Sequence, residues 1–152
     1  MHLALRSTVA IAATPQAVWD ALLDVQSWKS SVVSVERLCG KPGTVGEVLR
    51  VGQARGADTV FVRMETLAQI PLQWRAQTLV TETPGLLSGY LVYSLHRDAR
   101  ATILIGELLC HSPPPPVPEG RTLEEVCSMI SQATQAKFDA DHEVLKGLLE
   151  SR

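Results

Sequence analysis

The C-terminal part of the chain carries one long amphipathic pattern. Thr122 and Glu125 have the spacing of a capping box, and the apolar residues after them predict a helix that ends near Glu150. At about 1.5 Å per residue, this helix is on the order of 40 Å long, enough to cross a small domain. Its apolar side is expected to comprise Leu123, Val126, Cys127, Ile130, Ala133, Phe138, Leu145 and Leu148. Such a helix needs an extended apolar surface to pack against.

An antiparallel sheet can provide that surface. In residues 3–11, mostly large apolar residues alternate with small or polar ones, which is typical of a strand with one buried face. Six further strands are expected between residues 32 and 111, because turn-forming residues divide this part of the chain. The expected turns lie at residues 40–43, 52–58, 70–71, 83–85 and 97–100. One polar and one apolar face predict a sheet that is covered on one side only.

Inward and outward residues alternate most clearly in two of these strands. In the first, the residues predicted to point towards the helix are Val60, Val62 and Met64. In the second, at residues 72–80, the residues predicted to point inward are Leu72, Trp74, Ala76, Thr78 and Val80. The residues predicted to face solvent on these two strands are Arg63, Glu65, Gln73, Arg75 and Gln77.

Composition and charge narrow the classes of function. The 152 residues are 45% hydrophobic, which fits one domain around a single core. A formal net charge of -2 lacks the basic excess that nucleic-acid binding requires. The cysteines and histidines show neither a disulfide framework nor metal-ligand spacing, so we expect a cytoplasmic protein without a metal or cofactor. No apolar run is long enough to cross a bilayer, and exposed edge strands would permit a homodimer.

The segment after the first strand carries a short helix. Thr14 suits the N-cap and Pro15 the first helical position, and the helix should end near Asp24. Trp19 and Trp28 are interpreted chiefly as core residues, since large aromatic side chains dominate core energetics.

This passage resembles the first-helix passage of the START-like (SRPBCC) superfamily of helix-grip proteins, which includes Bet v 1-like proteins and the bacterial polyketide cyclase/dehydrase group. The residues that carry the resemblance are Thr14, Pro15, Val18, Trp19, Leu22 or Leu23, Asp24 and Trp28. The resemblance implies a single α+β domain over residues 1–152. A seven-stranded curved antiparallel sheet would wrap around the C-terminal helix, with one or two short helices at one end. Relatives often carry a second aromatic residue shortly after Trp28, and Lys29-Ser30-Ser31 here implies a more open or more polar rim.

Asp141 is the least expected residue on the long helix, because it falls in the middle of the apolar side. An unpaired buried carboxylate is costly, so Asp141 must lie in a cavity or find a partner. Either it accepts backbone N–H groups from residues 24–30, or it has a functional role. Thr134 shares the apolar side and can bond back to its own helix. Asp139 and His142 are interpreted as part of a surface charge arrangement.

Two further acids, Glu47 and Glu107, lie on strands that are apolar on both faces. If Leu49 and Ile105 point inward, so do the two acids, which could then serve as acid and base groups. A shift of one residue turns both to solvent, and the sequence leaves this register open.

The remaining candidates would line a hydrophobic pocket. Tyr93 is expected on the inner face, where its hydroxyl could bind a carbonyl or a phenol. The apolar walls would include Met64, Trp74 and Phe138. Together with Glu47, Glu107 and Asp141, these residues form the predicted substrate-binding set.

Three functions fit these features. The first is binding of a small hydrophobic ligand, ring-containing or acyl, in a cavity between the sheet and the C-terminal helix. The second is an enzyme of the polyketide cyclase, aromatase or dehydrase kind, in which Asp141, Glu47, Glu107 or Tyr93 moves protons. The third is an interaction protein without a ligand, for which the proline run at residues 113–116 would offer a polyproline surface. The resemblance implies either of the first two.

Overall fold

Seven antiparallel strands form one curved sheet in a computed structural model, which describes residues 1–83 and 87–151. The strands are β1 (His2–Ile11), β2 (Val32–Cys39), β3 (Val48–Arg55), β4 (Asp58–Ile70), β5 (Trp74–Thr81), β6 (Ser88–Arg97) and β7 (Thr102–His111). Their order is β1-β7-β6-β5-β4-β3-β2, so β1 and β2 are the edges. Helix α1 (Pro15–Leu23) and a 3₁₀ turn (Val25–Ser27) follow β1, and α2 (Leu123–Glu150) follows β7. The predicted α+β helix-grip architecture is confirmed.

Both α-helices begin where the capping residues predict. The Thr14 hydroxyl accepts a hydrogen bond from the Ala17 N–H at 3.2 Å. At the start of α2, the Glu125 N–H donates to Thr122 Oγ1 at 3.2 Å, and the Thr122 N–H donates to Glu125 Oε2 at 2.8 Å. Each bond satisfies a backbone donor that the first helical turn leaves free.

The two short helical segments close one end of the sheet. Trp19 and Trp28 are both buried, as predicted for core residues. The Trp28 indole N–H donates to the Ala21 carbonyl at 2.8 Å, which ties the 3₁₀ turn to α1. We refer to α1, this turn and the residues that follow it up to Lys29 together as the plug.

The long helix contacts only part of the sheet. Within the described ranges, the α2 backbone lies closest to β1 and α1, and α2 reaches β6 and β7 through side chains that pack at Tyr93 and Gly106. Its buried residues all lie in its C-terminal half: Phe138, His142, Leu145 and Leu149. The predicted apolar side is wrong for Leu123 and Ala133, which are exposed. The N-terminal half of α2 is at most partly buried, because its inner side borders a cavity and not packed side chains.

Strand β5 has the opposite faces from those predicted. Arg75 and Gln77 are buried, at 2% and 5% exposure, and they point towards α2. The residues wrongly predicted to point inward on this strand are Trp74, Ala76, Thr78 and Val80. The register places Arg75 opposite Tyr93, whose side chain is on the inner face. At this inward position Arg75 Nη2 and Gln77 Nε2 each have a hydrogen-bond partner, whereas Arg75 Nε and Nη1 have none among the described residues.

The turn regions agree with the sequence in position, with small shifts at their ends. Leu72 has a φ of 64°, a conformation outside the strand region, so β5 begins at Trp74 and not at Leu72. Gly52 is part of β3, and the loop before β4 comprises residues 56–57. Residues 84 and 85 of the turn expected at 83–85 lie outside the described residues. No helix in the described part of the chain is long and apolar enough to span a membrane.

Candidate functional site

A cavity of about 810 Å³ lies between the inner face of the sheet and α2. It exists because α2 rests on β1 and α1 and leaves the inner faces of the middle strands uncovered. Most of its wall is apolar, including Trp28, Val51, Val62, Met64, Leu91 and Phe138. This size and character are typical of sites that enclose small organic molecules.

The proline run at residues 113–116 lines the cavity at the end away from the plug. Prolines have restricted backbones and no N–H group, so this segment forms a stiff rim. The facing part of α2 contributes Val126, Ile130 and Thr134. The Thr134 hydroxyl donates to the Ile130 carbonyl at 2.7 Å, which confirms the bond predicted within the helix.

A polar group on the sheet lies near the plug end of the cavity. Arg75 and Gln77 line the cavity from β5, and both contact the hydroxyl of Thr66 on β4. Arg75 Nη2 donates to Thr66 Oγ1 at 2.6 Å, and Gln77 Nε2 donates to the same oxygen at 3.4 Å. Burial lowers the pKa of Arg75, and the opposing charge of Glu47 offsets only part of that effect.

Glu47 forms an ion pair with Arg75 of this polar group. Its carboxylate accepts hydrogen bonds from Arg37 Nε at 3.1 Å and from the Gly43 N–H at 2.9 Å. It also lies 3.7 Å from Arg75 Nη2. Glu47 is buried, as the inward alternative predicted, but it does not line the cavity as described.

A second polar group connects the plug to α2. Lys29 Nζ lies 3.0 Å from Asp141 Oδ2, and Lys137 Nζ lies 3.4 Å from Asp141 Oδ1. All three residues line the cavity. The expected contact between Asp141 and the plug is therefore present, but through the Lys29 side chain and not through backbone N–H groups. Lys29 also gives the polar rim that the departure from the family pattern implied.

Tyr93 lies where the sheet and α2 approach each other. It lines the cavity, and its ring lies beside His142, with the centroids 5.7 Å apart. Burial, and to a smaller extent the charge of Asp141, raises the pKa of Tyr93 well above its ordinary value. The phenol is therefore neutral at physiological pH and available as a hydrogen-bonding group.

The predicted substrate-binding residues divide into two sets. Those that line the cavity are Met64, Tyr93, Phe138 and Asp141. Those that do not are Glu47, Trp74 and Glu107. Glu107 alternates with the buried Gly106 and points away from α2, so the outward register is the correct one for β7. Tyr90 and His96 are exposed, as expected of outward positions on β6.

A sequence profile for polyketide cyclase / dehydrase and lipid transport proteins matches residues 2–141. The chain belongs to this family. The match covers every strand, the plug and the part of α2 that lines the cavity. Sequence comparison with curated proteins gives no significant match.

Solved structures with the same fold agree with this family assignment. The Zhui aromatase/cyclase from Streptomyces sp. R1128 has a TM-score of 0.78 at 19% identity, with 100% of this chain and 96% of that chain covered. A START superfamily protein from Mycobacterium smegmatis has a TM-score of 0.76 at 14% identity, with 99% of each chain covered. Ara h 8.0201 has a TM-score of 0.70 at 16% identity, with 100% of each chain covered. At these identities the likeness concerns the fold alone.

His142 lies in the core, so its interpretation as part of a surface charge arrangement is wrong. It is 1% exposed, and its ring centroid lies 4.6 Å from that of Phe138. Gly106 provides the space, because a Cβ there would lie 2.6 Å from His142 Cε1 and 2.8 Å from Phe138 Cζ. The spacing of Phe138, His142, Leu145 and Leu149 is the i, i+4, i+7, i+11 pattern of one helix face, so a signal was present.

Proposed function

We propose that this protein binds a small hydrophobic ligand, ring-containing or acyl, in the cavity between the sheet and α2. The observation that carries this proposal is the cavity itself, about 810 Å³ with a mostly apolar wall and a few polar side chains at one end. An apolar molecule gains free energy by leaving water for such a wall, and the polar groups fix its orientation. Family membership supports the proposal.

Filling the cavity should abolish binding. Ile130 lines it from α2, whereas the adjacent Met129 is 51% exposed and does not. We expect Ile130→Trp to weaken binding of the fluorescent probe anilinonaphthalene sulfonate by about tenfold or more, because the indole occupies the space of the probe. The measurement is a fluorescence titration. Met129→Trp, the matched control, should bind the probe as the unaltered protein does.

Two outcomes would contradict this proposal. In the first, the unaltered protein does not bind the probe, and native mass spectrometry of protein purified from its own host shows no bound molecule. Alternatively, Ile130→Trp and Met129→Trp could bind the probe equally, which would place the binding site outside the cavity.

A catalytic function of the cyclase, aromatase or dehydrase kind is the second candidate. It is favoured by Asp141 and Tyr93, a carboxylate and a neutral phenol that line the same cavity. Such a pair could take a proton from a ketone-bearing substrate and donate a hydrogen bond to its carbonyl oxygen. Glu47 and Glu107 have no such access.

For the catalytic candidate, we expect Asp141→Asn to lower turnover of a poly-ketone substrate by about a hundredfold and to leave the fold intact. Product absorbance measures turnover, and circular dichroism measures the fold. Asp139→Asn is the control, because Asp139 is exposed on the same helix. If Asp141→Asn mainly lowers the melting temperature and leaves turnover and binding unchanged, the residue serves only to hold the plug against α2.

A further inference from the structure

The charged side chains that line the cavity are mostly cationic. Four of them are basic and one is acidic: Lys29, Arg55, Arg75, Lys137 and Asp141. The chain as a whole has a formal net charge of -2, so this local excess is opposite in sign to the protein. A cavity with this lining attracts an anion and repels a cation.

Arg75 carries the most deeply buried of these charges. Its side chain is 2% exposed, and its Nε and Nη1 atoms have no hydrogen-bond partner among residues 1–83 and 87–151. A buried guanidinium with free N–H groups is costly, and a suitable acceptor lowers that cost.

Glu47 does not supply the missing acceptor. Its carboxylate is closer to Arg37, at 3.1 Å, than to Arg75, at 3.7 Å. One carboxylate therefore lies between two guanidinium groups. Asp141 is in the same position between Lys29 and Lys137. Two cations therefore share one carboxylate at each place, which leaves a net charge of +1 on each set of three residues.

We propose that the ligand is an amphipathic anion, with an apolar body in the cavity and a carboxylate group held by Arg75. This inference rests on the proposed binding function and specifies its ligand class. Arg75 is preferred over the two lysines as the contact because its guanidinium is buried beside the apolar wall, where a charge-assisted hydrogen bond is strongest. Lys137 is 57% exposed, so water already solvates its charge.

The test compares two probes with the same apolar chain, anionic cis-parinaric acid and its neutral methyl ester. In fluorescence titrations the acid is expected to bind about tenfold or more tightly than the ester. Arg75→Gln should remove this preference by weakening the acid alone, and Arg75→Lys should retain part of it. The control is Arg63→Gln, which deletes the same charge from the exposed outer face of β4 and should change neither affinity.

A second measurement serves if Arg75→Gln does not fold. In the unaltered protein, nuclear magnetic resonance of acid labelled at its carboxyl carbon should show that the bound group stays ionised to a lower pH than the free acid. A bound carboxyl group whose pKa equals or exceeds that of the free acid would overturn the proposal.

The outcomes separate this proposal from the binding function. Equal affinity for acid and ester would overturn the anion proposal and leave hydrophobic binding intact. A preference that is lost in Lys137→Gln and kept in Arg75→Gln would overturn the assignment to Arg75. Binding of neither probe, together with no binding of anilinonaphthalene sulfonate, would overturn both proposals.

Discussion

Glu47→Gln is expected to lower the free energy of unfolding by about 3 to 5 kcal/mol, because it removes the carboxylate that lies between two guanidinium groups, one of them buried. Gln retains the shape of the side chain, and its amide oxygen can still accept the hydrogen bond from Gly43 that Glu47 accepts at 2.9 Å. The loss therefore reports the charge on Arg75, which is 2% exposed. Chemical denaturation monitored by circular dichroism would measure it.

An exposed ion pair provides the control for Glu47→Gln. Glu82 contacts Arg50 at 2.8 Å on the outer face, where water screens the pair, so Glu82→Gln should change stability little. Adding Arg75→Met to Glu47→Gln should recover much of the lost stability, since no unpaired buried charge then remains. Equal effects of Glu47→Gln and Glu82→Gln would show that Glu47 does not stabilise a buried charge.

The stability of the folded protein is expected to fall by about 3 kcal/mol as the pH drops from 6.5 to about 4, because His142 is buried in its neutral form. Burial, followed by the charge of Lys29, lowers the pKa of His142 from 6.5 to about 4, and Asp141 and Asp139 oppose this only in part. Above pH 6.5 the imidazole is neutral in both states. Between the two values the unfolded chain binds the proton and the folded chain does not, so stability is lost across that window.

His142→Leu isolates this contribution from the other titrating groups. Unfolding free energies at about pH 7.5 and about pH 4.5 should differ less in the variant than in the unaltered protein. Replacing an exposed histidine, His96→Leu, should leave the difference unchanged. A pH dependence that is the same in His142→Leu as in the unaltered protein would contradict the assignment.

Local patterns predicted the helices and strands and their order, and the family resemblance implied the helix-grip arrangement. The capping box of Thr122 and Glu125 determines where α2 begins, and Thr14 and Pro15 do the same for α1. Alternation in residues 3–11 predicted a strand whose buried face the structure confirms. These features depend on residues close together in the sequence, which is why a single sequence reveals them.

The polar end of the cavity could not be predicted in the same way. Hydrophobic alternation places charged side chains outside, and it therefore inverted the faces of β5. The burial of Arg75 depends on Thr66 and Glu47, which belong to other parts of the sheet. For Glu107, both faces of β7 are apolar, so only the pairing with neighbouring strands decides the register. These partners come close to Arg75 and Glu107 only in the folded chain.

The pairing of β1 with β7 has a consequence for how the chain reaches its native state. His2 lies opposite His111, so the first strand has no neighbour in the sheet until the last strand has been synthesised. Contacts so distant in sequence require closure of a long loop before they contribute any stability, which slows folding. Helix α2 rests on β1 as well, so β1 also lacks its covering helix until α2 has been synthesised. During synthesis, β1 must therefore stay without either partner until β7 and α2 have emerged.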